Sequence, residues 1–409
     1  MLNDVEEKKG LKHWIPAFVL MACVVLAFFD KISIAVLFSD PNFQDAMGIA
    51  QDKAKLGWLM TSFLLAYGFS SVFLSFLGDI FNPKKMLFWC VTSWGILMLF
   101  MGFTTHYGTM LFLRVLLGIA EGPLFALAYS IVKQTYTDRQ QARASTMFLL
   151  GTPIGAFLGF PITAAVLAKH DWHGTFFVMA GLTLIVMILV VVGLRNLQLR
   201  KTIELESAGK RITFQDHVLN TKTLLKNGSF WLVCFFNIAL MTYLWGLNSW
   251  VPSYLIQDKG FNLKEFGFYS SLPFISMLIG EVIGAVFSDK LGKRAVQVFG
   301  GLLVAGISLY VMVLMTSPLL IIAAMSVSAM SWGFGVAAVF ALLARVTTAD
   351  VGATAGGIFN GLGNFASAIA PVLIGMIVMK TGSFNLGITF LAVFAVVGSF
   401  FLTPLLKRY

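Results

Sequence analysis

Residues 174–194 read GTFFVMAGLTLIVMILVVVGL, a stretch that contains no charged side chain. A helix needs about 20 mostly apolar residues to cross the hydrocarbon layer of a membrane. The polar segment 195–228 follows directly and carries seven of the 29 Lys and Arg residues of the chain. This long apolar run, ended abruptly by charge, indicates a chain built from membrane-spanning helices.

The composition of the whole chain supports the same interpretation. Of its 409 residues, 58% are hydrophobic and only 12% are charged, whereas a soluble protein carries about 25% charged residues. Too little polar surface is available to cover soluble domains of this size, which excludes a cytosolic enzyme, a disordered chain and a secreted scaffold. The three cysteines and five histidines have no spacing typical of a metal site or a disulfide framework, so we expect no metal and no cofactor.

Hydropathy predicts an all-α integral membrane protein with twelve transmembrane helices. Helices rather than a barrel are expected, because the apolar runs are continuous and lack the alternation of a transmembrane strand. The predicted spans are 14–37, 56–78, 86–105, 108–132, 144–168, 174–194, 229–256, 267–288, 295–315, 318–344, 352–379 and 384–405.

The basic residues predict the orientation of these spans. With the N-terminus in the cytoplasm, 21 Lys and Arg residues lie inside, 6 lie outside and 2 lie within spans. Cytoplasmic loops of membrane proteins are enriched in Lys and Arg, so both termini are expected in the cytoplasm and the protein in a cell (inner) membrane. The net charge of +10 then reflects topology, and we expect no nucleic-acid partner.

The two halves of the chain resemble each other. Residues 78–85 read GDIFNPKK and residues 288–294 read SDKLGKR, which places Asp79 and Asp289 210 positions apart. Two further pairs share this offset: Gly151 with Gly361 and Pro161 with Pro371. The repeat predicts two six-helix pseudo-symmetric bundles, residues 1–194 and 229–409, joined by a cytoplasmic linker at 195–228, with a binding site between them near mid-membrane.

Five ionisable residues lie inside the predicted spans: Asp30, Lys31, Arg114, Glu121 and Glu281. A charge within the membrane is expensive unless it is paired or hydrated, so each is a functional candidate. Arg114 and Glu121 lie seven positions apart, on one helix face. Glu281 is expected to be either a second proton site or a bond between spans.

These charges suggest an exchange of partners. In the empty, deprotonated protein, we expect Asp30 to pair with Arg114 and Lys31 to pair with Glu121. Protonation of the two acids releases both cations for a substrate carboxylate, so proton binding and anion binding become coupled. The alternative is that the four residues only fasten helices to one another.

Several motifs resemble the major facilitator superfamily, and within it the anion:cation symporter family. The acidic-then-basic clusters after spans 2 and 8 resemble the superfamily's loop signature. Residues 29–35 (FDKISIA), 114–123 (RVLLGIAEGP), 250–255 (WVPSYL) and 360–364 (NGLGN) resemble the symporter family, which includes bacterial sugar-acid transporters and vesicular glutamate and sialic acid carriers. The resemblance covers nearly the whole chain.

The resemblance implies roles for individual residues. Asp30 and Glu121 are implied in proton coupling, and Lys31 and Arg114 in substrate binding. The loop signature implies a gating role for the following set: Asp79, Lys84, Lys85, Asp289, Lys293 and Arg294.

Uncharged residues of the spans complete the predicted site. Tyr67 is implied in substrate binding by its match to the family. Asn360, Tyr243 and Asn248 are further substrate-binding candidates, and Asn364 is either a site residue or an interhelical bond.

Three positions depart from the family pattern. The family usually has arginine at Lys31, and its sugar-acid members tend to have tyrosine at Phe28 and a larger amide at Thr152. A lysine lacks the planar, two-pronged grip of arginine on a carboxylate. These departures favour an anion with fewer hydroxyl groups than a sugar acid.

The resulting hypothesis is a proton-driven symporter that imports a small organic anion by alternating access and works as a monomer in the bilayer. One alternative is a proton-coupled exporter, since the glycines and prolines of span 5 loosely resemble the pattern of antiporters. A second alternative is a membrane-embedded enzyme or a non-transporting receptor. An enzyme needs a nucleophile, a metal site or a His–acid pair, and no such group is evident in the sequence.

Overall fold

The computed structural model describes residues 11–50, 52–74, 82–136, 140, 144, 147–197, 199, 222, 224–347 and 352–409. This described part contains helices and no strands. Most of the linker 195–228 and Asp79 of the loop signature lie outside it.

Sixteen α-helices, numbered in chain order, make up the described part. They are α1 (Ile15–Leu37), α2 (Pro41–Ala46), α3 (Lys53–Phe73), α4 (Pro83–Phe103), α5 (Tyr107–Glu121), α6 (Leu124–Thr135), α7 (Gly151–Lys169), α8 (Trp172–Leu194), α9 (Gly228–Ser253), α10 (Leu263–Tyr269), α11 (Leu272–Leu291), α12 (Arg294–Leu314), α13 (Pro318–Val346), α14 (Gly352–Ser367), α15 (Ala370–Thr381) and α16 (Phe384–Ser399). Short 3₁₀-helices at Leu11–Trp14 and Phe400–Leu405 flank them, and a π-helical turn, Tyr254–Asp258, extends α9.

The helices form twelve stretches that are long and apolar enough to cross a membrane, which confirms the predicted number. Some of these stretches consist of two helices. The fourth combines α5 and α6, the eighth combines α10 and α11, and the eleventh combines α14 and α15. The hydropathy pattern does not reveal these breaks, because the two residues at each of them change the mean hydropathy of a long apolar span very little.

Polar side chains fix where several of the apolar helices begin. The carboxylate of Asp52 accepts a hydrogen bond from the backbone N–H of Lys55 at the start of α3, and Asp171 does the same for Gly174 at the start of α8. Asn227 caps α9 by accepting from two backbone N–H groups. The first N–H groups of a helix have no partner within it, so such caps satisfy them where the helix leaves the membrane.

Each half of the chain forms a helical bundle. In the first half, α1 packs against α7, α3 against α5, and α4 against α8; in the second, α13 packs against both α11 and α12, and α9 packs against α14 and α16. The two halves meet where α3 lies on α14 and α15, where α7 lies on α10 and α11, and where α1 lies on α9. The site described below lies along these contacts.

Glycines allow the two halves to approach closely. A β-carbon on Gly57 of α3 would lie 2.7 Å from the carbonyl oxygen of Pro371, and one on Gly68 would lie 2.7 Å from the backbone nitrogen of Phe365. Neither position accepts a larger residue without moving α14 or α15 away. These two glycines of α3 therefore set the distance between the halves at this crossing.

Direct polar contacts join the halves at the end of the molecule where α1 ends and α3 begins, here called the sealed end. The Ser39 and Ser253 hydroxyls are 3.2 Å apart, and Lys53 Nζ donates a hydrogen bond to Gln257 Oε1 at 2.7 Å. The rings of Phe38 and Trp250 pack beneath them with centroids 5.7 Å apart. Both ends of the described chain lie at the opposite end of the molecule, which we call the terminal end.

Candidate functional site

A buried ion pair joins α1 to the end of α5. Lys31 Nζ lies 3.5 Å from Glu121 Oε2, and the two side chains are 1% and 0% exposed. The Lys31 ammonium also lies 4.0 Å from the centre of the Tyr67 ring, within range of a cation–π interaction. The expected pairing of Lys31 with Glu121 is therefore present.

Asp30 lies beside this pair without a bonding partner. Its side chain is 2% exposed, and neither carboxylate oxygen has a hydrogen bond in the described part of the chain. The expected pairing of Asp30 with Arg114 is absent, since no nitrogen of Arg114 comes within the 4 Å of an ion pair. Successive side chains of a helix point in directions about 100° apart. The Asp30 side chain therefore points in a different direction from Lys31, which reaches α5.

Arg114 is instead held against α3. Its Nε donates a hydrogen bond to the carbonyl oxygen of Leu59 at 3.1 Å, and one terminal nitrogen lies 3.7 Å from the sulfur of Met60. The guanidinium carbon lies 4.4 Å from the centre of the Phe63 ring. Arg114 is 1% exposed, and the acidic groups that interact with it electrostatically are Glu121 and Asp30.

Small residues bring α5 close enough to α3 for these contacts. A β-carbon on Gly118 would lie 2.3 Å from the Phe63 carbonyl oxygen, and one on Gly122 would lie 2.7 Å from that of Tyr67. Both glycines belong to the predicted motif at 114–123. The motif thus holds Arg114 and Glu121 on the face of α5 that contacts α3.

The helix breaks immediately after Glu121. Pro123 has no backbone N–H and cannot bond the carbonyl of Ile119 four residues earlier, and α5 ends at Glu121. The Ser70 hydroxyl donates to that freed Ile119 carbonyl at 2.7 Å. Glu121 therefore lies at a joint between α5 and α6 whose free carbonyl is satisfied by α3.

The second half reaches the same region through α14 and α9. The Tyr67 hydroxyl lies next to both Lys31 and the Asn360 amide. Asn360 Nδ2 donates to the Ser71 hydroxyl across the two halves at 3.4 Å. Asn360 is thus brought to the predicted site, between α3 and α14.

The side chain of Asn364 is hydrogen-bonded both within its own helix and to α9. Its Nδ2 donates to the backbone oxygen of Asn360 at 2.8 Å, and its Oδ1 accepts from Trp245 Nε1 at 2.8 Å. The Trp245 ring lies against Phe28 of the first half, with centroids 5.5 Å apart. Asn364 therefore orients the aromatic contact between α9 and α1.

Tyr243 and Asn248 differ in what their polar groups bind. The Tyr243 hydroxyl and the Ser328 hydroxyl are 2.5 Å apart, so this group is engaged within the second half. Asn248 is 3% exposed, and its Nδ2 has no hydrogen-bond partner in the described structure. Only Asn248 of the two presents a free polar group.

A small cleft lies between α9, α11 and α13. Its walls are Tyr243, Leu244, Leu247, Asn248, Val251, Ser270, Pro273, Phe274, Met277, Met325, Ala329 and Trp332. The sequence pointed only to Tyr243 and Asn248 among these. The others are apolar residues of apolar spans, or a lone serine, and such residues carry no signal that separates a binding wall from a packed core.

Glu281 lies on α11, away from the charged cluster. A β-carbon on Gly333 would lie 3.2 Å from the backbone nitrogen of Glu281, so α11 and α13 cross closely at this point. Within the described residues the Glu281 side chain has neither a hydrogen bond nor an ion pair.

Two described cations of the loop signature, Lys84 and Arg294, contact backbone carbonyls near the C-terminal ends of helices. Lys84 Nζ donates to the carbonyl oxygens of Leu194, at 3.4 Å, and Leu197, where α8 ends. Arg294 donates to the Ala341 carbonyl oxygen at 3.2 Å, and Lys293 precedes α12 as its N-cap. The partial negative charge of a helix C-terminus favours such contacts. Asp79 and the side chain of Asp289 lie outside the described residues, and Lys85 makes no described polar contact.

The arrangement can hold an anion without any covalent chemistry. Two buried cations and two buried acids lie at the level where the halves meet, beside a tyrosine hydroxyl and an amide. A ligand carboxylate can replace Glu121 as the partner of Lys31, provided that the acid becomes neutral. Such an exchange links the position of a proton to the presence of an anion.

Comparison with known proteins identifies the family. The model of the Major Facilitator Superfamily matches residues 20–371 and 254–409, and the chain belongs to that superfamily. A probable galactarate/D-glucarate transporter of Escherichia coli strain K12 is 26% identical, over 97% of this chain and 93% of that protein. A probable sulfoacetate transporter of Cupriavidus necator is 25% identical, over 93% and 91%.

A solved structure has the same fold. A bacterial homologue of the human lysosomal transporter Spinster, in an inward-facing and unoccupied conformation, matches with a TM-score of 0.77 and 16% identity, over 96% of this chain and 97% of that one. The chain is therefore a multi-pass membrane transporter of the major facilitator fold and not an enzyme.

Proposed function

We propose that this member of the Major Facilitator Superfamily imports a small organic anion together with protons by alternating access. The proposed substrate class is small carboxylates, and this class includes the sugar acids. Two relatives support this class, since their names give galactarate, D-glucarate and sulfoacetate, which are small anions. The protein functions as a monomer in the inner membrane, with both chain ends in the cytoplasm and the domain limits 1–194, 195–228 and 229–409.

The observation that carries the proposal is the buried cluster of Lys31, Glu121 and Asp30. A buried ion pair is a weak way to gain stability, because removing both charges from water offsets most of their attraction. An adjacent carboxylate without any hydrogen bond adds a further penalty. Keeping such a cluster where the two halves meet makes sense if the charges change partners during transport.

In the proposed cycle, Asp30 and Glu121 carry protons and Lys31 and Arg114 bind the substrate. A proton on Glu121 neutralises the partner of Lys31, and the substrate carboxylate then takes its place. Tyr67 and Asn360 donate hydrogen bonds to the substrate from opposite halves, so binding draws the halves together around it. Release of the anion restores the Lys31–Glu121 pair and frees the proton.

In this proposal the sealed end is the outer end of the carrier. With the termini in the cytoplasm, the contacts of Ser39 with Ser253 and of Lys53 with Gln257 close the outer end. In this proposal Lys84 and Arg294, which bind carbonyls near helix ends, hold the helices of each bundle together during the return.

The test uses purified protein in proteoliposomes with an inward proton gradient. We expect candidate carboxylates to accumulate, and an uncoupler to abolish the accumulation. Lys31→Gln should abolish uptake, whereas Lys55→Gln, at an exposed lysine of the sealed end, should retain it. Absence of carboxylate uptake together with extrusion of apolar cations would replace the symporter with an exporter, and binding without any movement would indicate a receptor.

A further inference from the structure

The cleft between α9, α11 and α13 has walls unsuited to a sugar acid. A polyhydroxylated anion carries a hydroxyl on nearly every carbon, and each buried hydroxyl needs a hydrogen-bond partner. The walls are instead mostly aliphatic and aromatic, with Leu247, Phe274, Met277, Met325 and Trp332 among them. Such walls favour an apolar ligand body.

Two unpartnered polar groups lie in this apolar cleft. Asn248 Nδ2 and the Ser270 hydroxyl are both buried, and neither has a hydrogen bond in the described structure. An unsatisfied buried donor costs about 1–3 kcal/mol. Both groups can donate, and both belong to the cleft wall. They therefore indicate one acceptor group on an otherwise apolar ligand.

The wall of the cleft contacts the first half. Phe274, in its wall, packs against Phe160 of α7 with ring centroids 5.5 Å apart. Trp245, the neighbour of the wall residue Leu244, packs on Phe28, and Phe28 lies 5.8 Å from the Lys31 ammonium. Two aromatic contacts thus join the second half to the first, one from the cleft wall itself and one beside it that leads to Lys31.

We propose that the substrate is an amphipathic carboxylate: an acid whose aromatic or alkyl body fills this cleft and which carries at most one further acceptor. This inference rests on the proposed function, since the carboxylate binds Lys31 and Arg114 as described above. The body lies against Leu247, Phe274 and Trp332. Its acceptor, a carbonyl or ether oxygen, receives hydrogen bonds from Asn248 and Ser270.

Binding of matched acids to the purified full-length protein in nanodiscs tests the proposal. Isothermal titration at an acidic pH would compare gluconate and galactarate with hexanoate, phenylacetate and 3-phenylpropionate. We expect the apolar acids to bind and the hydroxylated ones to bind at least tenfold more weakly. Within the alkyl acids, each added methylene should tighten binding by up to about fourfold until the cleft is full.

A cleft-filling variant tests the location. Ala329→Phe should weaken binding of 3-phenylpropionate at least tenfold and leave acetate binding nearly unchanged. Val327→Phe adds the same ring two residues away on the same helix, at an exposed, lipid-facing position, and serves as the matched control. Equal elution volumes and thermal unfolding of both variants and the parent protein would establish that each is folded.

A second variant tests the acceptor. Asn248→Leu should weaken binding of 4-oxo-pentanoate relative to pentanoate by about tenfold, the equivalent of one lost hydrogen bond of about 1–1.5 kcal/mol. An equal effect on the two acids would overturn the assignment of Asn248.

The outcomes separate this inference from the proposed function. Tight, Lys31-dependent binding of gluconate or galactarate with no binding of the apolar acids would overturn the amphipathic class and leave the carboxylate symporter intact. Apolar acids that bind equally to the parent and to Ala329→Phe would remove the cleft as their site. Failure of both series to bind would overturn the proposed function and this inference with it.

Discussion

Replacing Glu121 with glutamine removes one charge from the buried pair and keeps the shape of the side chain. At the observed Lys31–Glu121 separation of 3.5 Å, an effective dielectric constant of about 20 gives an attraction of about 5 kcal/mol. Breaking one side of a buried ion pair lowers the free energy of unfolding by about 3–5 kcal/mol in other proteins, because the remaining charge stays buried. We expect Glu121→Gln to lower stability by an amount of this order, and a bound carboxylate to restore part of it.

The same substitution should uncouple the proton from the substrate. An inward gradient of two pH units supplies about 2.7 kcal/mol per proton, which supports about hundredfold accumulation for one proton per anion. Without the acid whose protonation releases Lys31, we expect Glu121→Gln to accumulate nothing above equilibrium. Exchange of internal for external substrate needs no net proton movement and should persist.

The assay is radiolabelled uptake into proteoliposomes, with exchange measured in parallel. Glu265→Gln is the matched control, because Glu265 is an exposed helix-capping residue whose amide replacement can still accept the hydrogen bond from Asn262. Glu121→Asp should retain coupling at a reduced rate. Concentrative uptake by Glu121→Gln at the level of the parent protein would refute the role of Glu121, and unchanged unfolding would refute the estimated strength of the pair.

Three further expectations follow from the geometry. Ser39→Cys combined with Ser253→Cys should form a disulfide that locks the sealed end and stops transport until the disulfide is reduced, while Ser39→Cys alone should transport. Transport by the fully oxidised double variant would argue against opening at this end. Gly68→Ala should lower the free energy of unfolding by about 1–3 kcal/mol because its β-carbon meets the backbone of α14, whereas Gly356→Ala, with open space around it, should not. Equal thermal unfolding of the two variants would contradict the close packing of α3 against α14. Arg114→Lys should weaken substrate binding about tenfold in titration calorimetry, since the ammonium lacks the fork of the guanidinium, and unchanged affinity would remove Arg114 from the site.

The fold was largely accessible from the sequence. Twelve apolar runs, a charged segment between the sixth and seventh, and a repeat with one constant offset together predict the architecture, because lipid leaves a chain few ways to satisfy its backbone. The helix joint after Glu121 was not predicted. Pro123 lies within an unbroken apolar run, and hydropathy does not register the loss of one backbone donor.

The site was accessible only in part. Lys31 and Glu121 could be paired from the sequence because charges in apolar spans are rare and few combinations exist. The contacts of Arg114 could not be predicted in this way. Its side chain binds a backbone carbonyl of α3, and the position of that carbonyl relative to Arg114 depends on how closely α3 and α5 pack. The cleft wall was missed for a different reason, since Met277 and Trp332 look the same in sequence whether they line a cavity or fill a core.

The joint at Pro123 has a mechanical consequence. Glu121 is the last residue of α5, and the angle between α5 and α6 is free of the continuous hydrogen bonding that stiffens an ordinary helix. A change in the charge of the Glu121 side chain changes its electrostatic attraction to Lys31 of α1. This attraction acts directly at the break between α5 and α6. In the proposed cycle, the residue that gains the proton thus lies directly at the break in the fourth span, so no relay is needed between protonation and movement at that break.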